Sequence, residues 1–172
     1  MSMDVRPHAY DPATQPELFE GVLSRRVLAF LIDFLVISIP VVLAAMFIFA
    51  FGIITLGLGF MLYWLLSPAA VIWALVYFGL TLGGERSATI GMRVMDLEMR
   101  TWYGGPSYFV LGAVHAIGFW FTVSFFTPFI LLVPFFNVRR RLLHDIILGT
   151  VVINNSARAA MLRSYMAPSG AR

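Results

Sequence analysis

Between Val27 and Gly84 the chain contains a single charged residue, Asp33. This stretch constrains the fold more than any other feature, because a helix of about 20 apolar residues crosses a bilayer core of ~30 Å. It is long enough for two such helices, and the glycines of FGIITLGLGF predict the turn between them. We therefore expect a first helix at about 24–50 and a second at about 59–82, with a kink at Pro68.

The composition of the whole chain agrees with a membrane protein. Of its 172 residues, 60% are hydrophobic and 12% are charged, whereas soluble domains carry about 25% charged residues. The chain has no cysteine, which excludes disulfides and thiolate metal ligands. Its net charge of +3 is small and dispersed, and this argues against nucleic acid as a partner. We expect no cleaved signal peptide, because the first apolar segment exceeds the usual ~7–15 residues.

A second uncharged block runs from Thr101 to Val138 and contains Pro128 and Pro134. Its most apolar part is too short for two full crossings. We expect one helix at about 107–125 and a short or re-entrant limb at about 127–137. The predicted fold class is thus an all-α integral membrane protein with three long transmembrane helices and a fourth limb that protein must cover.

The arginines indicate the orientation of these helices. All twelve lie in the N-terminal segment, in the 85–100 loop or after residue 138. The positive-inside rule places the three segments in the cytoplasm, which requires an even number of crossings. The alternative is three simple spans that leave the triplet Arg139–Arg141 outside. We favour the even arrangement, with a cytoplasmic N-terminus in a prokaryotic plasma (inner) membrane.

The regions outside the apolar blocks predict less structure. Residues 1–20 are polar and contain three prolines, which favours a disordered cytoplasmic tail. Residues 155–172 predict a second polar and mobile tail. The β-branched segment GTVVIN has strand character, so we expect a small cytoplasmic extended pair of about 94–100 with 150–154. The transmembrane domain is accordingly predicted at 21–154.

Asp33 carries the clearest functional signal, because a carboxylate within an apolar helix costs about 2.5–3.5 kcal/mol on insertion. Arg26 precedes it by seven residues on nearly the same helix face, ~10 Å away along the axis. Asp33 should therefore face protein and meet a cation or a proton. Besides Arg26, the candidate partners are Arg93 and the triplet that precedes Asp145. We predict one charged network of Arg26, Asp33, Asp145, Arg140 and Arg141.

Three motifs in order resemble the RDD family, small prokaryotic membrane proteins named for one arginine and two aspartates. RRVLAFLID resembles the opening Arg–x–x–Ala–x–x–Ile–Asp, ATIGMRVMDL the central Thr–x–Gly–Lys/Met–Arg loop, and RRRLLHDIILGTVVI the closing segment. The resemblance covers about residues 22–154 and assigns the named residues to Arg26, Asp33 and Asp145. Met92 stands where many members have lysine, so any role of that charge is absent.

What the resemblance implies about activity is limited. Transport of unidentified ligands has been suggested for the family, and some members look like sodium/proton antiporters. For this chain it implies a small transporter, or transporter subunit, in which Asp33 exchanges a cation or proton. The alternative is a non-transporting membrane adaptor or assembly factor in which the Arg/Asp network is a structural clamp.

Two further features leave alternatives open. His115 has an unperturbed pKa of about 6.5 that suits proton exchange with Asp33, but a neutral histidine that bonds a neighbouring helix is the commoner case. The loop motif of Thr89, Gly91 and Arg93 is either a cradle for phosphate or a lipid headgroup, or a turn that seats the loop. His144 beside Asp145, with no third ligand at metal spacing, predicts no metal site.

No nucleophile–base pair, catalytic acid pair or dinucleotide motif is present in the sequence, so we expect neither an enzyme nor a cofactor. The partners that we expect are membrane lipid, a small cation or proton, and further copies of the chain or another membrane protein. A homo-oligomer is expected because a chain of this size would hardly enclose a path alone.

Overall fold

The computed structural model describes residues 9–126 and 129–166, except the side chains of 126 and 129–131. The first long helix, α1, runs from Val22 to Ile54. Its 33 residues span about 50 Å at ~1.5 Å per residue. The predicted helix at 24–50 is confirmed, and α1 extends one turn further at its C-terminal end. Pro40 lies inside α1 without ending it.

The second long helix, α2, runs from Tyr63 to Leu82 and follows a 3-10 turn at Leu58–Leu62. Glycines allow the chain to fold back at this turn. A Cβ atom at Gly52 would overlap the Phe60 ring, so glycine lets the ring pack directly against the α1 backbone. Both stretches, Pro16–Ile54 and Leu58–Leu82, are long and apolar enough to cross a membrane.

A third apolar helix, α4, runs from Phe109 to Phe126 and packs along α2. Its apolar stretch, Phe109–Phe125, is shorter than the other two. Two membrane-length helices are therefore present in the described part, and the predicted third long span is not confirmed. Of the predicted limb at 127–137, the described part forms a 3-10 helix at Phe129–Phe135, and residues 127–128 lie outside the description.

A small polar cap closes one end of these helices. It contains two short helices, α3 (Ile90–Val94) and α5 (Leu143–Leu148), and two strands, β1 (Leu97–Thr101) and β2 (Thr150–Asn154). The strands pair antiparallel, with Leu97 opposite Asn154 and Thr101 opposite Thr150. The predicted extended pair is thus confirmed, although β1 begins later than expected because α3 occupies residues 90–94.

The predicted disorder of residues 1–20 is wrong for the part that the structure describes, residues 9–20. Leu18 is fully buried, and with Tyr10 and Phe19 it packs against Val151 and Ile153 of β2. The polar composition hid a few apolar residues that cover one face of the small sheet. Residues 1–8 lie outside the description.

The segment predicted as a polar tail at 155–172 contains secondary structure where it is described. Asn155–Met166 form a helix, α6. Ala157 and Met161 pack against the β2 cluster, and Arg158 lies 3.3 Å from the Glu98 carboxylate of β1. These contacts stabilise a helix that its polar composition concealed. Residues 167–172 lie outside the description.

The two ends of the chain meet at the cap. The N-terminal segment covers β2, and the start of α1 lies against the segment after residue 138, where Arg25 donates to Asn154 and Arg26 to Asp145. Both arginine-rich segments are therefore on one side of the helices. This arrangement agrees with an even number of crossings and disagrees with an Arg139–Arg141 triplet on the opposite side.

Cysteine labelling tests this topology, because the chain has no cysteine of its own. We expect Leu58→Cys, at the far end of α1, and Ser156→Cys, at the cap, to react with a membrane-impermeant maleimide from opposite sides. Both residues are exposed. Reaction of both from the same side of sealed vesicles would contradict the described arrangement.

Candidate functional site

Asp33 is held by three neutral hydrogen-bond donors. The Tyr77 hydroxyl donates to Oδ1 over 2.5 Å, the Thr89 hydroxyl to Oδ2 over 2.6 Å, and the Gly91 amide to Oδ1 over 2.8 Å. The residue is only 5% exposed. One carboxylate thus joins α1 to α2 and to the start of α3, facing protein as predicted.

Two residues of the loop motif, Thr89 and Gly91, bind this carboxylate. Thr89 precedes α3 as its N-cap, and its hydroxyl accepts from the Met92 amide while donating to Asp33. A Cβ atom at Gly91 would lie 2.1 Å from the Ala29 carbonyl oxygen, so only glycine lets α3 reach α1. The cradle considered for a phosphate is therefore occupied by the protein's own Asp33. Arg93 donates to the Ala88 carbonyl and makes no ion pair with Asp33.

Asp145, in the first turn of α5, lies in a different environment and is fully buried. Arg26 donates to its Oδ2 over 2.6 Å, and the Leu142 amide donates to the same oxygen over 3.0 Å. Thr150 donates to Oδ1 over 3.3 Å. Burial is the largest single influence and would raise the pKa of this carboxyl, but the charge and hydrogen bond of Arg26, together with the two neighbouring histidines, outweigh it and hold the pKa below its usual range.

The two other predicted network arginines do not contact either carboxylate. Arg141 is buried and donates to the backbone carbonyls of Thr150 and Asp145, with its guanidinium 4.9 Å from the centre of the Trp102 ring. It therefore ties α5 to β2. Arg140 contributes its carbonyl to Arg26, while its side chain lies 3.5 Å from the Pro134 carbonyl.

The prediction of a single charged network is wrong, because Asp33 and Asp145 lie in two separate centres. Two helical turns separate Arg26 from Asp33, and the nearby Asp145 engages the Arg26 guanidinium. Among the described residues, no ion pair or hydrogen bond joins Asp33 to an arginine. Tyr77 of α2 is the hydroxyl donor that completes the Asp33 centre.

Two histidines face Asp145. His115 of α4 places Nδ1 3.7 Å from Oδ1, and His144 of α5 places Nε2 3.6 Å from the same oxygen. The rings meet edge to face, with their centroids 4.6 Å apart. Burial lowers the pKa of His144 to about 4, although the Asp145 charge opposes the shift. Proton exchange between His115 and Asp33 was one of two alternatives left open by the sequence, and the structure places His115 next to Asp145.

A cavity of about 200 Å³ lies between α1, α2 and α4 and reaches both centres. Asp33 and Thr89 contribute polar groups to its wall, as do Arg26, His115 and His144. Its remaining surface is mostly apolar. Sequence spacing could not indicate this cavity, because its walls come from helices that are far apart along the chain.

Membrane-length helices closed by a polar cap define a helical membrane domain, and the two aspartate centres lie at the junction of helices and cap. The chain belongs to the RDD family, whose model matches residues 21–149, or 129 of 172 residues. The resemblance seen in the sequence motifs is thereby confirmed. Comparison with curated proteins and with solved structures found no match.

Gly91→Ala tests the close approach of α3 to α1. The added methyl group would collide with the Ala29 backbone and with the Asp33 carboxyl group, so we expect a loss of about 1–3 kcal/mol in the free energy of unfolding. Val94→Ala in the same helix is the control, because Val94 is exposed. Equal unfolding free energies of the two variants in detergent would contradict the contact.

Arg26→Gln tests the ion pair with Asp145. It would leave a buried carboxylate without its cation, and we expect a loss of about 3–5 kcal/mol in the free energy of unfolding. The neighbouring Arg25→Gln is the matched control. The Arg25 side chain is 42% exposed and lies 4.0 Å from Asp96, so its loss should cost about 1 kcal/mol. A smaller effect at position 26 than at position 25 would refute the assignment.

Proposed function

We propose that this RDD domain translocates a small monovalent cation or a proton, with Asp33 as the exchanging carboxylate. The observation that carries the proposal is the environment of Asp33. Its carboxylate is buried, has no cationic partner among the described residues, and lines the cavity between α1, α2 and α4.

The electrostatics favour a mobile positive charge at this position. The three donors to Asp33 are neutral, so they stabilise the carboxylate but leave its negative charge uncompensated. An uncompensated charge in an apolar membrane segment is costly and usually marks an ion or proton pathway. A cation or proton that enters the cavity would neutralise it.

The second aspartate differs in the property that matters for exchange. Asp145 already has the guanidinium of Arg26 as its counter-ion, so taking up a monovalent cation there would require breaking that pair. The two acids named by the family motif therefore divide between an exchanging role at Asp33 and a structural role at Asp145.

We further propose that the functional unit is a homo-oligomer in the prokaryotic inner membrane, with the cap in the cytoplasm. Two membrane-length helices and one shorter helix offer little surface with which to enclose a path. The arginines of the cap support the cytoplasmic placement, because positively charged segments are retained on that side. Contact with other membrane proteins remains an alternative to self-association.

Flux measurements on Asp33→Asn test the proposed exchange. The full chain and the variant are reconstituted in liposomes with an internal pH dye, and Na⁺ or K⁺ gradients are imposed. We expect proton movement with the native chain and at least a tenfold slower rate with Asp33→Asn, corresponding to about 1.4 kcal/mol or more. The amide retains the shape of the side chain but cannot carry the exchanged charge.

Asp96→Asn is the matched control for this experiment. Asp96 lies in the cap, its side chain is 39% exposed, and its left-handed backbone, with φ of 57°, is one that asparagine also adopts. It should leave flux unchanged. Equal flux from all three proteins, at equal incorporation, would refute the role of Asp33.

The adaptor function is the second candidate, and the saturation of Asp33 by three donors favours it. In that case Asp33 only fastens α1 to α2 and α3. Absence of flux from the native chain, together with lower thermal stability of Asp33→Asn, would support the adaptor and reject transport. The partner would then be a membrane protein that contacts the apolar helices or the cap.

A further inference from the structure

The hydrogen bonds of Thr122 determine which nitrogen of His144 carries a proton. The Thr122 hydroxyl donates within α4, 2.7 Å from the Gly118 carbonyl and 3.0 Å from that of Phe119. Its single hydrogen is thus engaged, and it can only accept in its contact with His144 Nδ1 at 3.5 Å. This contact favours the His144 tautomer with its proton on Nδ1, which leaves a lone pair on Nε2.

That lone pair faces a negatively charged oxygen. His144 Nε2 is 3.6 Å from Asp145 Oδ1, and no hydrogen bond of the described residues involves it. His115 Nδ1 lies 3.7 Å from the same oxygen and is buried without a hydrogen-bond partner. Two nitrogens thus converge on one carboxylate oxygen at distances too long for hydrogen bonds. An arrangement of this kind is stabilised by a cation placed between the three atoms.

We propose that His115, His144 and Asp145 form a binding site for a divalent transition-metal ion of the Zn²⁺ type. Their three ligand atoms lie within 4.8 Å of one another. Two ligands ~2.1 Å from a tetrahedral ion are separated by roughly 3.4 Å, close to the two nitrogen–oxygen distances of 3.6 and 3.7 Å. Binding requires the two imidazoles to approach one another.

The chemistry of the ligands selects the ion. Two neutral imidazoles and one carboxylate favour zinc and its first-row neighbours, whereas Ca²⁺ and Mg²⁺ require more oxygen ligands. Arg26 already balances the carboxylate through Oδ2, so the nitrogens must contribute much of the binding energy. This site is therefore distinct from the proposed monovalent cation or proton exchange at Asp33.

The surroundings supply what a metal site needs beyond its ligands. Arg26 orients the carboxylate and Thr122 orients the His144 ring. In known metal sites, residues that do not touch the metal orient its ligands through hydrogen bonds in the same way. Both histidines line the cavity, which offers room for water as a fourth ligand. The third ligand escaped the sequence analysis because His115 comes from α4, 29 residues before His144.

Metal titration of the full chain tests the proposal. The protein is purified in detergent without a polyhistidine tag, treated with a chelator, and titrated with Zn²⁺ by calorimetry and with Co²⁺ by visible absorption. We expect one ion per chain and a tetrahedral Co²⁺ spectrum. His115→Gln and His144→Gln should each weaken Zn²⁺ binding at least about tenfold and abolish the Co²⁺ spectrum.

His8→Gln is the matched control, because it removes the one other histidine of the chain. It should bind both metals as the native protein does, and so should Asp33→Asn, which separates this site from the proposed transport function. A cooperative melting transition of both site variants without Zn²⁺ confirms that they are folded before binding is compared, and Zn²⁺ should then raise the melting temperature of the native chain but not that of the site variants. Binding at micromolar Zn²⁺ that the site variants retain, or no binding by the native chain, would overturn the proposal.

Discussion

The buried ion pair of Arg26 and Asp145 is the interaction on which the rest of this structure depends. It joins the N-terminal part of α1 to the first turn of α5. The Arg26 nitrogen and the Asp145 oxygen lie 2.6 Å apart, although the two residues are 119 positions apart in the chain. With α5 held there, β2 follows it directly and pairs with β1. The same aspartate receives the two histidines. Removing either charge would leave the other buried and unpaired, which is why a pair of this kind commits the chain to one arrangement.

The buried carboxylate of Asp33 is stabilised by neutral hydrogen-bond donors and not by an ion pair. Its donors are two hydroxyl groups and a backbone amide, and they come from α2 and α3. The absence of a side chain at Gly91 lets that amide approach. The charge is thus solvated by dipoles without being neutralised. One cavity reaches both this charge and the Arg26–Asp145 pair. The two aspartates are assigned different roles because Asp145 has a cationic partner and Asp33 has none among the described residues.

Much of the architecture could be predicted, because hydropathy and turn residues act locally. The apolar stretch after Val27, with Asp33 as its single charge, predicts α1 and α2, and the β-branched GTVVIN segment predicts β2. The two tails could not be predicted. Leu18 and Met161 belong to short apolar pairs within polar segments, and their packing depends on a sheet formed by distant parts of the chain. The bounds of α4 were predicted almost as observed, about 107–125 against Phe109–Phe126, but its apolar stretch is shorter than the two that are long enough to cross a membrane.

The sequence by itself determined that the chain belongs in a membrane, that Asp33 faces protein, and which three charged residues the RDD motif names. The first two conclusions follow from the cost of placing charge in hydrocarbon, which requires no knowledge of the fold, and the third follows from the resemblance of the three motifs to the family. Only the tertiary structure decided which charge meets which partner. Arg26 and Asp33 share a helix face, yet Arg26 pairs with Asp145, and His115 joins His144 there. Side-chain contacts depend on distances of a few ångströms between elements that chain spacing does not specify.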